Sequence, residues 1–378
     1  MEKPKRCGRC GNSDPAYFYL GAKGWYCRKC IGLGRFLETA EEKEAVKEIK
    51  LTDTEYCLPF QLTAAQKKLA VKLKECYEDN NVLIHAACGA GKTELMLDFI
   101  SDALAKGYRL GWAIPRRWVV LQLSQRLGDY YPKLRVTAVC QGHTDITSGD
   151  LIVCTTHQLF RYYRFFDYLI IDEPDAYPFK DNEVLRNIAL NSVRKNLIFL
   201  TATPDTFVLQ NRFITLELFS RPHGYPLCVP FDLCLPGWLH YLVIAYLLNR
   251  KDSKILVFVP SIAKAESLYR FFSLTSKGGV LTSKSSNKEQ TVQDFINRSC
   301  GWLISTTVLE RGVTIPKIDV VVFQADSAIY DLAALIQMAG RVGRVAAYPE
   351  GRVWFLSKQK NCKVKECIET IKNMNKNA

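Results

Sequence analysis

The stretch Val82-Leu83-Ile84-His85-Ala86-Ala87-Cys88-Gly89-Ala90-Gly91-Lys92-Thr93 decides the fold. Val82-Leu83-Ile84 opens a buried strand over 82–86, and Glu94 to Ile100 reads as the start of a helix. Strand, glycine-rich loop, Lys-Thr and helix in that order describe a phosphate-binding loop. Its backbone N–H groups can cradle phosphate oxygens. Lys92 can reach the β- and γ-phosphates, and the Thr93 hydroxyl can ligate Mg²⁺. Ala86 stands where the commonest form of the pattern has glycine, a mild departure because a methyl group at a strand end crowds little. The candidate nucleotide contacts here are Ala87, Cys88, Gly89, Ala90, Gly91, Lys92 and Thr93.

Around this loop, from Thr63 onward, apolar strands alternate with helices. Strands are expected at 82–86, 109–114, 135–140, 150–155, 168–173 and 196–201. Strands apolar throughout, separated by helices, predict a parallel sheet covered on both faces. A stretch rich in proline and glycine, 218–236, reads as a linker. A second α/β pattern follows: a helix at 238–250, strands at 255–259, 279–282, 301–305, 319–324 and 352–356, and a helical tail from Lys358 with six lysines. The expected division is a zinc module at 1–36, a charged and partly helical connector at 37–60, a first lobe at 61–219, a linker at 220–236 and a second lobe at 237–378.

At 378 residues and 48% hydrophobic, the chain can bury two cores and is not a disordered polymer. The formal charge of +13 points to a polyanionic partner, with nucleic acid ahead of an anionic membrane surface. No run reaches the ~18 apolar residues of a membrane span. Met-Glu-Lys-Pro-Lys-Arg at the start lacks the apolar segment of a signal peptide, so the expected location is cytoplasmic. Fourteen cysteines in that compartment do not form a disulfide framework.

Four of them, Cys7-x2-Cys10 and Cys27-x2-Cys30, have the spacing of a four-thiolate zinc site built on two knuckles. Up to Arg35 this module also holds eight Lys or Arg against two acids, with Tyr17, Phe18, Tyr19, Trp25 and Tyr26 among them. Two readings of the aromatics stand open. They can stack on the bases of single-stranded DNA, or they can form the small core that so short a module needs.

Further chemistry sits at strand ends. Asp172-Glu173-Pro174-Asp175 follows the apolar strand Tyr168 to Ile171. Asp172 can hold Mg²⁺ and Glu173 can orient and deprotonate an attacking water, while Asp175 bridges to neighbouring motifs. Thr201-Ala202-Thr203, Thr155-Thr156-His157 and Ser305-Thr306-Thr307 each follow an apolar strand. They are either phosphate contacts or helix N-caps. Pro115-Arg116-Arg117 belongs with them. Gln337-Met338-Ala339-Gly340-Arg341-Val342-Gly343-Arg344 carries two arginines that can stabilise charge on a γ-phosphate, or serve as a surface phosphate patch. Gln66 opens the first helix, and one amide can bond both edges of an adenine.

The order of these motifs resembles that of the superfamily 2 helicases and translocases, over most of residues 60–345. The zinc pattern ahead of that core makes the whole chain similar to the ComFA family, the late-competence DNA-uptake ATPases of Gram-positive bacteria. The resemblance implies two RecA-like lobes with ATP in the cleft between them. It implies a single-stranded DNA translocase that hydrolyses ATP faster on DNA and drives import in transformation. It assigns Lys92, Asp172, Glu173, Arg341 and Arg344 to catalysis, Gln66, Gly312 and Gln337 to ATP together with the loop, and Thr93 and Asp172 to Mg²⁺. Candidate DNA contacts are Arg116, Thr155, Thr156, His157, Ser261 and Thr306, and Thr201 and Thr203 couple the two events. Implied cofactors are ATP, Mg²⁺ and Zn²⁺. Implied partners are single-stranded DNA, ComFC, other competence proteins at the inner face of the membrane channel, and further copies of the chain. A peripheral position at that inner face goes with them. Met338 and Thr314 depart from related groups, where Arg and Asp are common. Two other readings stay open: a replication-restart type helicase, and a nucleotide-switched DNA-binding scaffold with little turnover.

Overall fold

The computed structural model describes residues 2–36, 53–205, 207, 208, 212–250, 253–274, 277–298, 301–309 and 314–378. The helix expected over 37–48 and the ATP contact Gly312 lie outside these residues. The chain forms two compact units. Met1–His85 and Lys92–Glu217 make the first, and Ala86–Gly91 with Leu218–Ala378 make the second.

The first unit opens with an antiparallel hairpin, β1 (Phe18–Gly21) and β2 (Gly24–Cys27). Helix α1 (Ala64–Cys76) follows, capped by Thr63, whose hydroxyl accepts from the Gln66 N–H. A doubly wound pattern comes next: β3 (Val82–Ala86), α2 (Lys92–Leu95), α3 (Leu97–Ala105), β4 (Leu110–Ile114), α4 (Arg117–Tyr130), β5 (Val136–Val139), β6 (Leu151–Thr155), β7 (Phe166–Asp172), α5 (Glu183–Ser192), β8 (Val193–Thr201) and β9 (Ile214–Leu218). The seven strands lie in the order β5-β6-β4-β7-β8-β3-β9, and those from β5 to β3 pair in parallel. Every residue of β4 and β6 is buried, as a sheet covered on both faces requires. Gly111 in β4 has no room for a side chain, since a Cβ would lie 2.7 Å from the Phe166 ring.

The second unit repeats the pattern with β10 (Phe231–Cys234), α6 (Gly237–Leu248), β11 (Lys254–Phe258), α7 (Ile262–Phe272), β12 (Gly278–Leu281), α8 (Lys288–Asn297), β13 (Gly301–Ser305), β14 (Ile318–Phe323), α9 (Leu332–Ala339), β15 (Val353–Ser357) and α10 (Cys362–Lys376). Its six strands, ordered β10-β15-β14-β11-β13-β12, are all parallel. Their core gathers Ile244, Val257, Leu268, Trp302 and Val321. The two parallel sheets are RecA-like lobes.

The sequence-based strands agree with the observed ones to within a few residues. Within the two parallel-sheet units, two short strands escape the sequence reading because polar residues interrupt the apolar run of each. Within the stretch read as a linker, Phe231–Cys234 forms β10 beside β15. Ile214–Leu218 forms β9, whose Ile214 N–H donates to Asn81 O at 3.0 Å.

Candidate ATP and metal sites

In the first unit, β8 stands between β7 and β3. Parallel strands bring their C-terminal ends to one edge, so His85 pairs with Thr201 and Asp172 with Leu200. The end of β3, which feeds the glycine-rich loop, is therefore two strand spacings, about 10 Å, from Asp172. Lys92 and Thr93 begin α2 directly after that loop. Gly89 and Gly91 have φ of 82° and 77°, the left-handed region that glycine enters without a Cβ penalty. His85 Nε2 donates to Ala202 O at 3.2 Å, and burial holds this imidazole below its ordinary pKa.

Glu173 follows β7 with φ of 54°, unusual for a residue with a side chain. Its N–H donates to Leu200 O at 2.9 Å, and its carbonyl accepts from Ala176. Asp175 is buried and accepts two hydroxyls, Thr201 Oγ1 and Thr203 Oγ1, both at 2.7 Å. Thr201 Oγ1 in turn accepts from the Thr203 N–H at 2.9 Å. The acidic strand end and the threonine pair are thus one hydrogen-bonded cluster.

Gln66 is buried, and its Oε1 accepts from Thr63 N at 2.9 Å and Thr63 Oγ1 at 3.2 Å. These bonds complete a capping box, a role the sequence reading did not assign, and they fix the orientation of the amide. The Thr-x-x-Gln spacing of Thr63 and Gln66 was the available signal. Among the candidate DNA contacts, Arg116 is the N-cap residue of α4 and half-buried, and His157 is exposed. Thr155 is buried at the end of β6, and Thr156 is buried at the start of a 3₁₀ turn, Thr156–Arg161.

In the second unit, Ser261 caps α7, its hydroxyl accepting from Lys264 N at 3.2 Å, and Thr306 follows β13 half-buried. Gln337 lies in α9, and Arg341 and Arg344 come just after that helix. Arg341 is buried, and Arg344 Nε donates to Gly340 O at 2.7 Å. The loop Ala86–Gly91 clusters with this unit, and there Cys88 Sγ donates to Gln337 Oε1 at 3.3 Å.

The four N-terminal cysteines are buried, with all four sulfurs within 4.8 Å of one another. The Cys7–Cys30 and Cys10–Cys27 sulfurs are 3.9 and 3.8 Å apart. A zinc ion with bonds of about 2.3 Å to four thiolates needs sulfur separations of roughly 3.8 Å, so this donor set fits Zn²⁺. Hydrogen bonds from the Cys10 and Cys7 thiols, then from Arg9, pull the Cys30 thiol below its ordinary pKa. Arg9 is buried and also donates to the Cys30 and Gly34 carbonyls, both at 2.6 Å.

This module is packed onto the first lobe. Asn191 Nδ2 of α5 donates to Arg9 O at 3.0 Å, and Phe36 meets Tyr163 edge-on at 5.2 Å. Trp25, Leu33 and Phe36 are partly buried and pack against a buried cluster that contains Leu159, Phe179 and Ile188. The two readings of the aromatics divide by residue. Phe18 is core, while Tyr17 and Tyr19 are exposed. Cations already cover ring faces, with Arg28 3.3 Å above Tyr19 and Arg35 4.4 Å from Tyr26.

The chain matches a family model described as type III restriction enzyme, res subunit, over residues 57–206, and one described as helicase conserved C-terminal domain over residues 238–346. It is 33% identical to competence protein ComFA of Bacillus subtilis, over 98% of this chain and 85% of that one. Against competence protein ComFA of Streptococcus pneumoniae the identity is 32%, over 98% and 90% of the two chains. The chain belongs to the ComFA family. It is therefore a DNA-dependent ATPase of helicase superfamily 2. The fold of this ComFA-family chain is also that of S. cerevisiae Dbp5 bound to RNA and ADP BeF3, with a TM-score of 0.65, 18% identity, and coverage of 84% of this chain and 88% of that one. Among the described residues of the ComFA-family chain, no helix is long and apolar enough to cross a membrane.

Proposed function

We propose that this ComFA-family protein is an ATP-driven translocase on single-stranded DNA, serving DNA import in natural transformation. The observation that carries the reading is the Asp175 cluster, which joins the acidic strand end to Thr201 and Thr203 through two 2.7 Å bonds. A change at Asp172 and Glu173 during hydrolysis passes along these bonds to the threonine loop.

In this reading the backbone N–H groups from Ala87 to Gly91 and the Lys92 ammonium hold the phosphates of ATP. The Thr93 hydroxyl and Asp172 would hold Mg²⁺, which shields the phosphate charge. Glu173 accepts the proton of the attacking water. Arg341 and Arg344 stabilise the charge that develops on the γ-phosphate. Gln66 presents its amide to adenine, with Gly312 and Gln337 as further nucleotide contacts. The Cys7, Cys10, Cys27 and Cys30 thiolates would hold a structural Zn²⁺. Arg116, His157, Ser261, Thr306 and the backbone at Thr155 and Thr156 contact the DNA, and basic charge supplies most of the affinity. ComFC and the membrane channel proteins are the proposed partners.

The test is ATP hydrolysis by the full chain with and without single-stranded DNA, together with displacement of a bound block from a single strand. Stimulation by DNA and ATP-dependent displacement are expected. A hydrolysis rate indifferent to single-stranded DNA would overturn the motor reading in favour of a nucleotide-switched scaffold.

A further inference from the structure

Arg221 opens the stretch rich in proline and glycine that reads as a linker, and nothing in its sequence context marks it. It is 3% exposed. Its guanidinium is spread across three backbone carbonyls. Nε donates to Cys88 O at 3.1 Å, and Nη1 donates to Val342 O at 3.0 Å and Gly343 O at 2.8 Å. Cys88 belongs to the phosphate loop, while Val342 and Gly343 lie between Arg341 and Arg344. All of these residues belong to the second unit.

The surroundings hold those carbonyls in place. Gly343 has φ of 67°, and a Cβ there would lie 2.1 Å from Pro349 O, so the turn admits no side chain. Its carbonyl also accepts from His223 Nε2 at 2.9 Å. On the other side of the same turn, a Cβ on Gly340 would lie 2.4 Å from the Cβ of Cys88. Burying a guanidinium is costly unless its donors are used. Burial lowers the Arg221 pKa to about 10, which leaves it protonated at neutral pH. Charge-assisted bonds from Nε and Nη1 to three carbonyls offset part of that cost, while Nη2 is buried without a hydrogen-bond partner among the described residues. The planar fork reaches carbonyls of two chain segments along fixed directions, and a lysine ammonium keeps the charge without that geometry.

We propose that Arg221 is a positioning residue for ATP hydrolysis, holding the phosphate loop and the Arg341–Arg344 turn in one fixed register. The inference rests on the reading of that loop and those arginines as the ATP site. Arg221 acts through them: it sets where Cys88 and Gly343 present their backbone, and through that backbone where the neighbouring N–H groups and Arg344 are carried.

The experiment uses the full chain with Arg221→Lys, Arg221→Ala, Arg344→Ala, the Arg221→Ala/Arg344→Ala pair and Lys92→Ala. It measures kcat and KM for ATP on single-stranded DNA, equilibrium ATP binding, and melting temperature. Both Arg221 variants should lose about tenfold or more in kcat, while ATP affinity changes by less than about threefold, the signature of a lost arrangement at the reacting phosphate. Arg221→Lys should melt close to the parent, which separates the loss from unfolding. The pair should lose less than the product of the two single losses, because groups that act as a unit are not additive. Parent-like kcat in Arg221→Lys, or losses that multiply in the pair, would overturn this proposal alone. Parent-like rates in Lys92→Ala and Arg344→Ala would overturn the reading of the site as well.

Discussion

Two clusters, one in each unit, are held together by opposite chemistry. In the first, one buried carboxylate, Asp175, gathers two hydroxyls. In the second, one buried guanidinium, Arg221, gathers three backbone carbonyls. The first arrangement is made of side chains, so an isosteric change in one of them breaks it while the backbone stays. The second depends on backbone shape and on glycines that permit it, so only its arginine can be changed without remaking the turn. Charge divides the lobes as well. Residues 218–378 hold 21 Lys and Arg against 12 Asp and Glu, which puts most of the chain's excess positive charge in the second.

The largest effects should fall on the residues read as chemistry in the first lobe. Lys92→Ala or Glu173→Gln should lower DNA-stimulated phosphate release by about 10³-fold or more, since each removes a group acting on the transferring phosphate or its water. Rates within tenfold of the parent would show that the first lobe's strand ends hold no catalytic site. Replacing both Cys7 and Cys10 with serine should release zinc, measured by metal analysis, and lower the melting temperature by roughly 5–10 °C. The reason is that Trp25, Leu33 and Phe36 of the zinc module pack against a buried cluster that contains Leu159 and Ile188. An unchanged melting curve after metal loss would make the module an independent appendage and remove this asymmetry between the lobes.

A smaller effect tests the side-chain cluster directly. Thr203→Val keeps the shape and removes one hydroxyl from Asp175, a loss of about 1–2 kcal/mol in stability. The ratio of DNA-stimulated to unstimulated hydrolysis should fall with it, and an unchanged ratio would detach the cluster from coupling. Last, DNA affinity should fall by about 10²–10³ between 50 and 200 mM salt, measured by fluorescence anisotropy. Reversing charges in the second lobe should flatten that slope more than reversing an equal number in the first.

The strands of both sheets were legible because buried parallel strands read as unbroken apolar runs such as Leu151 to Cys154 and Val320 to Phe323. Strands β9 and β10 were not, since Ile214–Leu218 and Phe231–Cys234 are short and their apolar runs are broken by Thr215 and Glu217 and by Asp232. The glycine-rich loop, the acidic strand end and the four N-terminal cysteines could be picked out because the chemistry proposed for them demands particular residues at fixed spacings. Arg221 could not. Its partners are carbonyls, which every residue has, and they lie more than a hundred positions away on both sides. The capping role of Gln66 was open to view in the Thr63-to-Gln66 spacing, but the adenine reading claimed that residue first.

Glu173 carries a consequence for how such a protein changes over generations. A side chain at φ of 54° costs on the order of 1 kcal/mol that a glycine would not. Mutation to glycine there would be rewarded by any selection for robustness and punished by any selection for turnover. A lineage that no longer needs the motor should therefore lose this acid early, and its descendants would fold a little better for having stopped working.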